Sequence, residues 1–77
     1  MGDSLILVIR KAIENCAIAD EKMKNERNEV IKVLNSARYL DASTLHLVER
    51  QYNEKISNVQ HDITDMKAHV KELESND

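Results

Sequence analysis

Between Tyr52 and Leu73, seven residues recur at steps of four and three: Tyr52, Ile56, Val59, Ile63, Met66, Val70 and Leu73. All are apolar or aromatic. A repeat averaging 3.5 residues keeps one stripe of a helix turned toward a neighbouring helix, which is the coiled-coil pattern. Leu45 extends the stripe toward the N-terminus, and Glu49 interrupts it. Nothing in the chain argues for strand instead. Pro is absent, the one Gly is Gly2, and Phe and Trp are missing. Helix formers such as Leu, Lys, Glu and Ala therefore run without a breaker through both halves.

The first half carries a matching line: Ile6, Ile9, Ile13, Cys16, Asp20, Met23, Arg27, Val30, Leu34 and Ala37. The clearest punctuation between the two lines lies at Tyr39-Leu40-Asp41-Ala42-Ser43-Thr44. Asp41 and Ser43 are good N-cap residues, since a short side-chain oxygen accepts from the free N–H groups of a starting helix. The pattern predicts a first helix over about 4–40, a turn at about 41–43, and a second helix over about 44–74. The tail, 75–77, is expected to fray, because Glu72, Glu74 and Asp77 place negative charge at the negative end of the helix dipole. Two long helices on a short connection favour an antiparallel hairpin. Folding there sets Leu34 opposite Tyr52, Val30 opposite Ile56, Met23 opposite Ile63, Cys16 opposite Val70 and Ile13 opposite Leu73. The expected class is all-α, a single coiled-coil-like hairpin domain over 1–77, completed to a bundle by self-association or by a partner.

Two polar residues interrupt the first line. Asp20 and Arg27 fall in a stretch, 20–29, whose only strongly apolar member is Met23. A break with Asp20 as an N-cap would give three helices instead of two.

A hairpin needs one apolar stripe per helix, and the beginning of the first helix has more. Leu5, Leu7, Val8 and Ile18 lie off the line. With Ile6, Ile9, Ala12 and Ile13 they make the opening turns apolar nearly all round, which normally means burial on all sides. Ile31 and Val33 flank the line near the turn, and Leu40 continues the Val33 side. The candidate protein interface is therefore Leu5, Leu7, Val8, Ile9, Ala12, Ile13, Ile18, Ile31, Val33 and Leu40. A wider intramolecular core, or fraying of 4–8, is the plainer account of the same residues.

Charge excludes one class of partner. The net charge is −3, and no basic patch or aromatic stacking platform stands out, so nucleic acid is not expected. The run Leu5-Ile6-Leu7-Val8-Ile9 is too short to span a bilayer and lacks the preceding positive charge of a signal peptide. Stable membrane association is not expected, because only Arg10 and Lys11 stand near enough to meet anionic lipid. One cysteine, Cys16, cannot form an internal disulfide and suits a reducing, cytoplasmic setting. Met1 and a polar tail are compatible with a complete small protein and with a trimmed piece alike.

Chemistry-bearing groups are sparse. His61, Asp65 and His69 are spaced four apart, and neighbouring members of such a series can share a metal ion. They fall on the outside of the stripe, however, where a solvated face is the simpler account, and His46 reads as a surface residue. Cys16 occupies a core position where His69, beside the facing Val70, is the one base within possible reach, and two straight helices offer neither a cleft nor oxyanion donors. Catalysis and cofactors are not expected. The residues point to a non-enzymatic interaction module, a scaffold or assembly subunit that oligomerises or joins a larger helical complex. The alternative is a small helical chaperone, co-chaperone or regulator that holds a partner's amphipathic helix; small helical-hairpin co-chaperones of bacterial secretion systems share this size and shape, without a shared motif.

Overall fold

A computed structural model describes residues 2–75 and shows two helices, α1 (Gly2–Asn35) and α2 (Ala42–Ser75), each of 34 residues. They pack against each other as an antiparallel hairpin, in an elongated molecule of about 59 × 16 × 11 Å. Both the all-helical class and the hairpin agree with the sequence pattern. Helix α1 passes through Asp20 without a break, so the three-helix alternative falls. Ser75, expected to fray, is the last residue of α2; positions 76 and 77 of the expected frayed tail lie outside the described residues.

The seam follows the two lines closely. In α2 Leu45, Val48, Tyr52, Ile56, Val59, Ile63, Met66, Val70 and Leu73 are buried or half-buried. Glu49 is exposed and Val48 takes its place. The steps from Val48 to Tyr52 to Ile56 are thus both four, where a strict heptad would step by three and four. Such a local insertion relaxes the supercoil for one turn near the connection. In α1 the positions from Ile6 to Leu34 on the line are all buried or half-buried, polar Asp20 and Arg27 included. Ala37 is the exception, exposed in the connection.

The turn lies elsewhere than expected. α1 ends at Asn35, five residues before Leu40, and residues 36–41 cross between the helices. The last turn of α1 closes with tighter bonds, Ser36 N–H to the Val33 carbonyl at 3.1 Å and Ala37 N–H to the Leu34 carbonyl at 3.0 Å. The Ser36 hydroxyl also donates to the Lys32 carbonyl at 3.3 Å, a local bond that competes with helix continuation. α2 starts at Ala42, two residues before the expected start at about 44. The Asp41 carboxylate accepts from the Thr44 N–H at 2.8 Å, and the Asp41 carbonyl takes the Leu45 N–H. Asp41, not Ser43, is the N-cap.

Moving the turn moves the register by one heptad. Glu26 and Arg27 of α1 reach Tyr52 and Asn53 of α2. Counting outward along antiparallel helices, Met23 then stands level with Ile56, Cys16 with Ile63 and Ile6 with Leu73. The expected pairing of Cys16 with Val70 and Met23 with Ile63 is corrected accordingly. A heptad pattern fits itself equally well after a shift of seven, so it cannot choose between these registers. Helix overlap does. In the observed register the helices cover each other over their whole length and Ile6 is buried; in the expected one the first turns of α1 would overhang α2.

Two outcomes follow. With the native Cys16 as probe, Ile63→Cys should form an intrachain disulfide under mild oxidation well before Val70→Cys does; the reverse order would restore the longer first helix. Hydrogen bonds from Thr44 hold the Asp41 carboxyl below the usual carboxylate range. A depressed pKa stabilises the fold above the unfolded value of 3.8 and loses that contribution as pH falls through the folded value. Asp41→Ala should therefore lower the thermal midpoint at pH 7, with the gap to wild type closing below about pH 4. Asp41→Asn, a comparable cap, should lower it less at pH 7.

Candidate interaction surface

The site grows out of what the seam leaves uncovered. α2 spends its apolar residues on the seam, and among the large ones only Leu47 remains well exposed on its outer side. α1 does not. Leu5, Leu7, Val8 and Ile18 are all exposed, Leu7 at 65%, Val8 at 66% and Ile18 at 53%. Leu7 and Ile18 are eleven residues apart, close to three full turns, so they share one line on the side of α1 away from α2. Val8 stands beside that line and Leu5 lies nearer the seam.

The remaining expected interface residues divide differently. Ile9, Ala12, Ile13 and Ile31 are half-buried along the seam or its edge, where α2 already covers them in part. Ile13 lines a shallow apolar depression with Val70 and the stems of Arg10 and Lys67. Val33 is exposed and edges a second apolar depression with Val30 and Leu34. Leu40, expected within α1, is half-buried in the connection. The structure thus gathers Leu5, Leu7, Val8 and Ile18 on the uncovered part of α1 and sets Val33 apart near the connection. Leu47, on α2 near the same end, escaped the sequence reading because it is a single leucine with no apolar neighbour a helical turn away.

Polar groups bracket the seam. At the open end Arg10 pairs with Glu74. Nearer the connection the Tyr52 hydroxyl donates to Glu26 at 2.9 Å, and Arg27 donates to Asn53 at 2.9 Å and to its neighbour Asn28 at 3.2 Å. Donating to Glu26 raises the Tyr52 pKa from its ordinary value, because ionising the phenol would lose that hydrogen bond and also set two anions together. In this register the polar interruption at Arg27 falls level with Tyr52, the seam residue of α2 that carries a hydroxyl. Interruption and polar handle answer each other.

Asp20 has no such answer. It is 9% exposed, its Oδ2 meets Lys24 at 2.9 Å one turn on, and its Oδ1 is buried with no hydrogen-bond partner. The register sets it level with apolar Val59. A buried acceptor left unpaired costs about 1–3 kcal/mol. Hydrophobic replacement should therefore help: Asp20→Leu is expected to raise unfolding stability by roughly 1 kcal/mol. Chemical denaturation monitored by circular dichroism measures this, and a lower midpoint would mean that Asp20 is satisfied in solution.

Among the described residues, no three His, Cys, Asp or Glu side chains gather to hold a metal ion. His61, Asp65 and His69 lie along an exposed face of α2, the outer two about 12 Å apart along the axis. His69 lies 3.9 Å from Glu72. Cys16 is half-buried on the seam. No described helix is long and apolar enough to cross a membrane.

Comparison with protein-family models, with curated proteins and with solved structures returned no match for this chain.

Proposed function

We propose that this chain is a non-enzymatic interaction module, a small coiled-coil scaffold or assembly subunit that binds other helices through the outer face of α1. One observation carries the reading: Leu7, Val8 and Ile18 remain exposed on the outer side of α1, with Leu5 exposed nearer the seam, although that seam is already covered by α2. Apolar side chains concentrated on one uncovered face mark an interaction site, whereas scattered ones need no explanation.

The thin core supports the same reading. Only Ile6, Ile56 and Val70 count as buried apolar residues among those described, and no large side chain is fully enclosed. Small domains with so little interior lean on association for stability, because anything that binds only the folded state stabilises it by mass action. A helical partner laid on α1 would add the second layer that a two-helix hairpin lacks.

A photo-crosslinking amino acid placed at Leu7 tests this in cells, with the same probe at Thr64 on the polar face of α2 as the control. The Leu7 probe should give a discrete protein adduct, of whatever mass, and the Thr64 probe much less. Equal labelling from both positions, or none from Leu7, would remove the outer face of α1 as a docking surface.

A further inference from the structure

The outer line of α1 reads, in order, Leu7, Lys11, Glu14, Ile18. Steps of four, three and four keep all four side chains within one narrow face, on the side away from α2. All four are exposed, and Lys11 and Glu14 lie side by side between the two apolar residues, with Nζ to Oε2 at 3.6 Å. The line is thus apolar, positive, negative, apolar. Read from the other end it is apolar, negative, positive, apolar. A second α1 laid antiparallel places Leu7 against Ile18 and Lys11 against Glu14, and the twofold axis repeats both contacts.

We infer that the occupant of this face is a second copy of this chain, joined by antiparallel pairing of the two α1 helices about a twofold axis between Lys11 and Glu14. The inference rests on the proposed role of α1 as a docking face and adds the identity and direction of the partner. A twofold contact uses the same patch on both subunits, so the patch must be complementary to itself, which this one is. Val8 stands at the edge of the pairing and shields it from water. The intrahelical Lys11–Glu14 pair is solvent-exposed on both sides and weak, so exchanging it for two intermolecular pairs sacrifices little. α2 offers no equivalent. Its outer line, Glu54, Ser57, His61, Thr64 and Ala68, has neither the apolar ends nor the paired charges. The product is a four-helix assembly with α1 helices inside and α2 helices outside.

An interface of two Leu7–Ile18 layers and two charge layers, flanked by Val8, lies at the small end of specific interfaces, so the dimer forms on the order of 10–100 μM. Sedimentation equilibrium of the full chain from a few micromolar to about a millimolar should show reversible dimerisation on that scale. Circular dichroism would confirm that every variant remains helical. Lys11→Glu faces Glu14 with a second acid twice per dimer, and Glu14→Lys sets Lys11 against lysine twice. Each should weaken dimerisation about tenfold or more. The double variant K11E/E14K restores opposite charges and should recover near wild-type association. Mixing the two single variants should also form dimers, because every contact across the mixed pair is then complementary. A helical wild type that stays monomeric at a millimolar overturns self-pairing, and so do helical single reversals that dimerise as well as wild type. Neither result touches the docking face itself, which stands or falls on whether the Leu7 probe crosslinks at all.

Discussion

Everything tertiary in this molecule passes through one contact, the seam along which α1 lies on α2. Among the described residues no second layer lies behind either helix, so each seam residue keeps part of its surface exposed and none is fully enclosed. The stabilisation comes from many half-buried layers in series, each contributing less than a residue in a globular core. Length compensates for thinness. Two helices of 34 residues in full overlap supply about nine layers, and shortening the overlap by one heptad would forfeit two. The register is accordingly the main stability variable of the fold.

Polar interruptions on such a seam are affordable only where something answers them. Arg27 is answered by Asn53 and by the neighbouring Glu26–Tyr52 bond, at a level where Tyr52 brings a hydroxyl to the apolar stripe. Asp20 is answered by Lys24 on one oxygen alone. These two sites differ in kind: the first adds polar contacts compatible with the observed alignment, while the second is a local cost. Both lie on α1, which also carries the exposed apolar face. The helix with the less regular seam has the more apolar exterior, and α2, with the regular seam, is polar outside. That division, with α2 spending its apolar residues on the hairpin and α1 keeping some exposed, is what the proposed docking role of α1 rests on.

Much of the architecture was legible in the sequence because coiled-coil packing is written in side-chain period. The stripe from Tyr52 to Leu73 and the line from Ile6 to Leu34 both appear on the seam. Asp41, read as a candidate cap, is the cap. Leu5, Leu7, Val8 and Ile18, read as surplus to the seam, are exposed. Other residues escaped. Val48 was hidden by the assumption of a strict heptad through Glu49. Ile9 and Ile13 were counted both as seam and as surface, and α2 covers them. The end of α1 was placed too late because 36–40 contains no glycine or proline, and the bonds that close the helix at Ser36 and Ala37 leave no mark in composition.

The sequence by itself determined that this chain makes two helices, which stripe of each is sticky, and, to within two residues, where the second one starts. Those are properties of single elements, fixed by period and by a capping side chain within a few residues. Only the tertiary structure decided the register. A heptad repeat is nearly degenerate under a shift of seven, and the choice depends on where the chain reverses and how much helix remains paired after it does. From that choice follow the partners of Arg27, the isolation of Asp20 and the burial of Ile6. The apolar face left uncovered on α1 is what remains after the seam is filled, so its extent too was decided only with both helices in place.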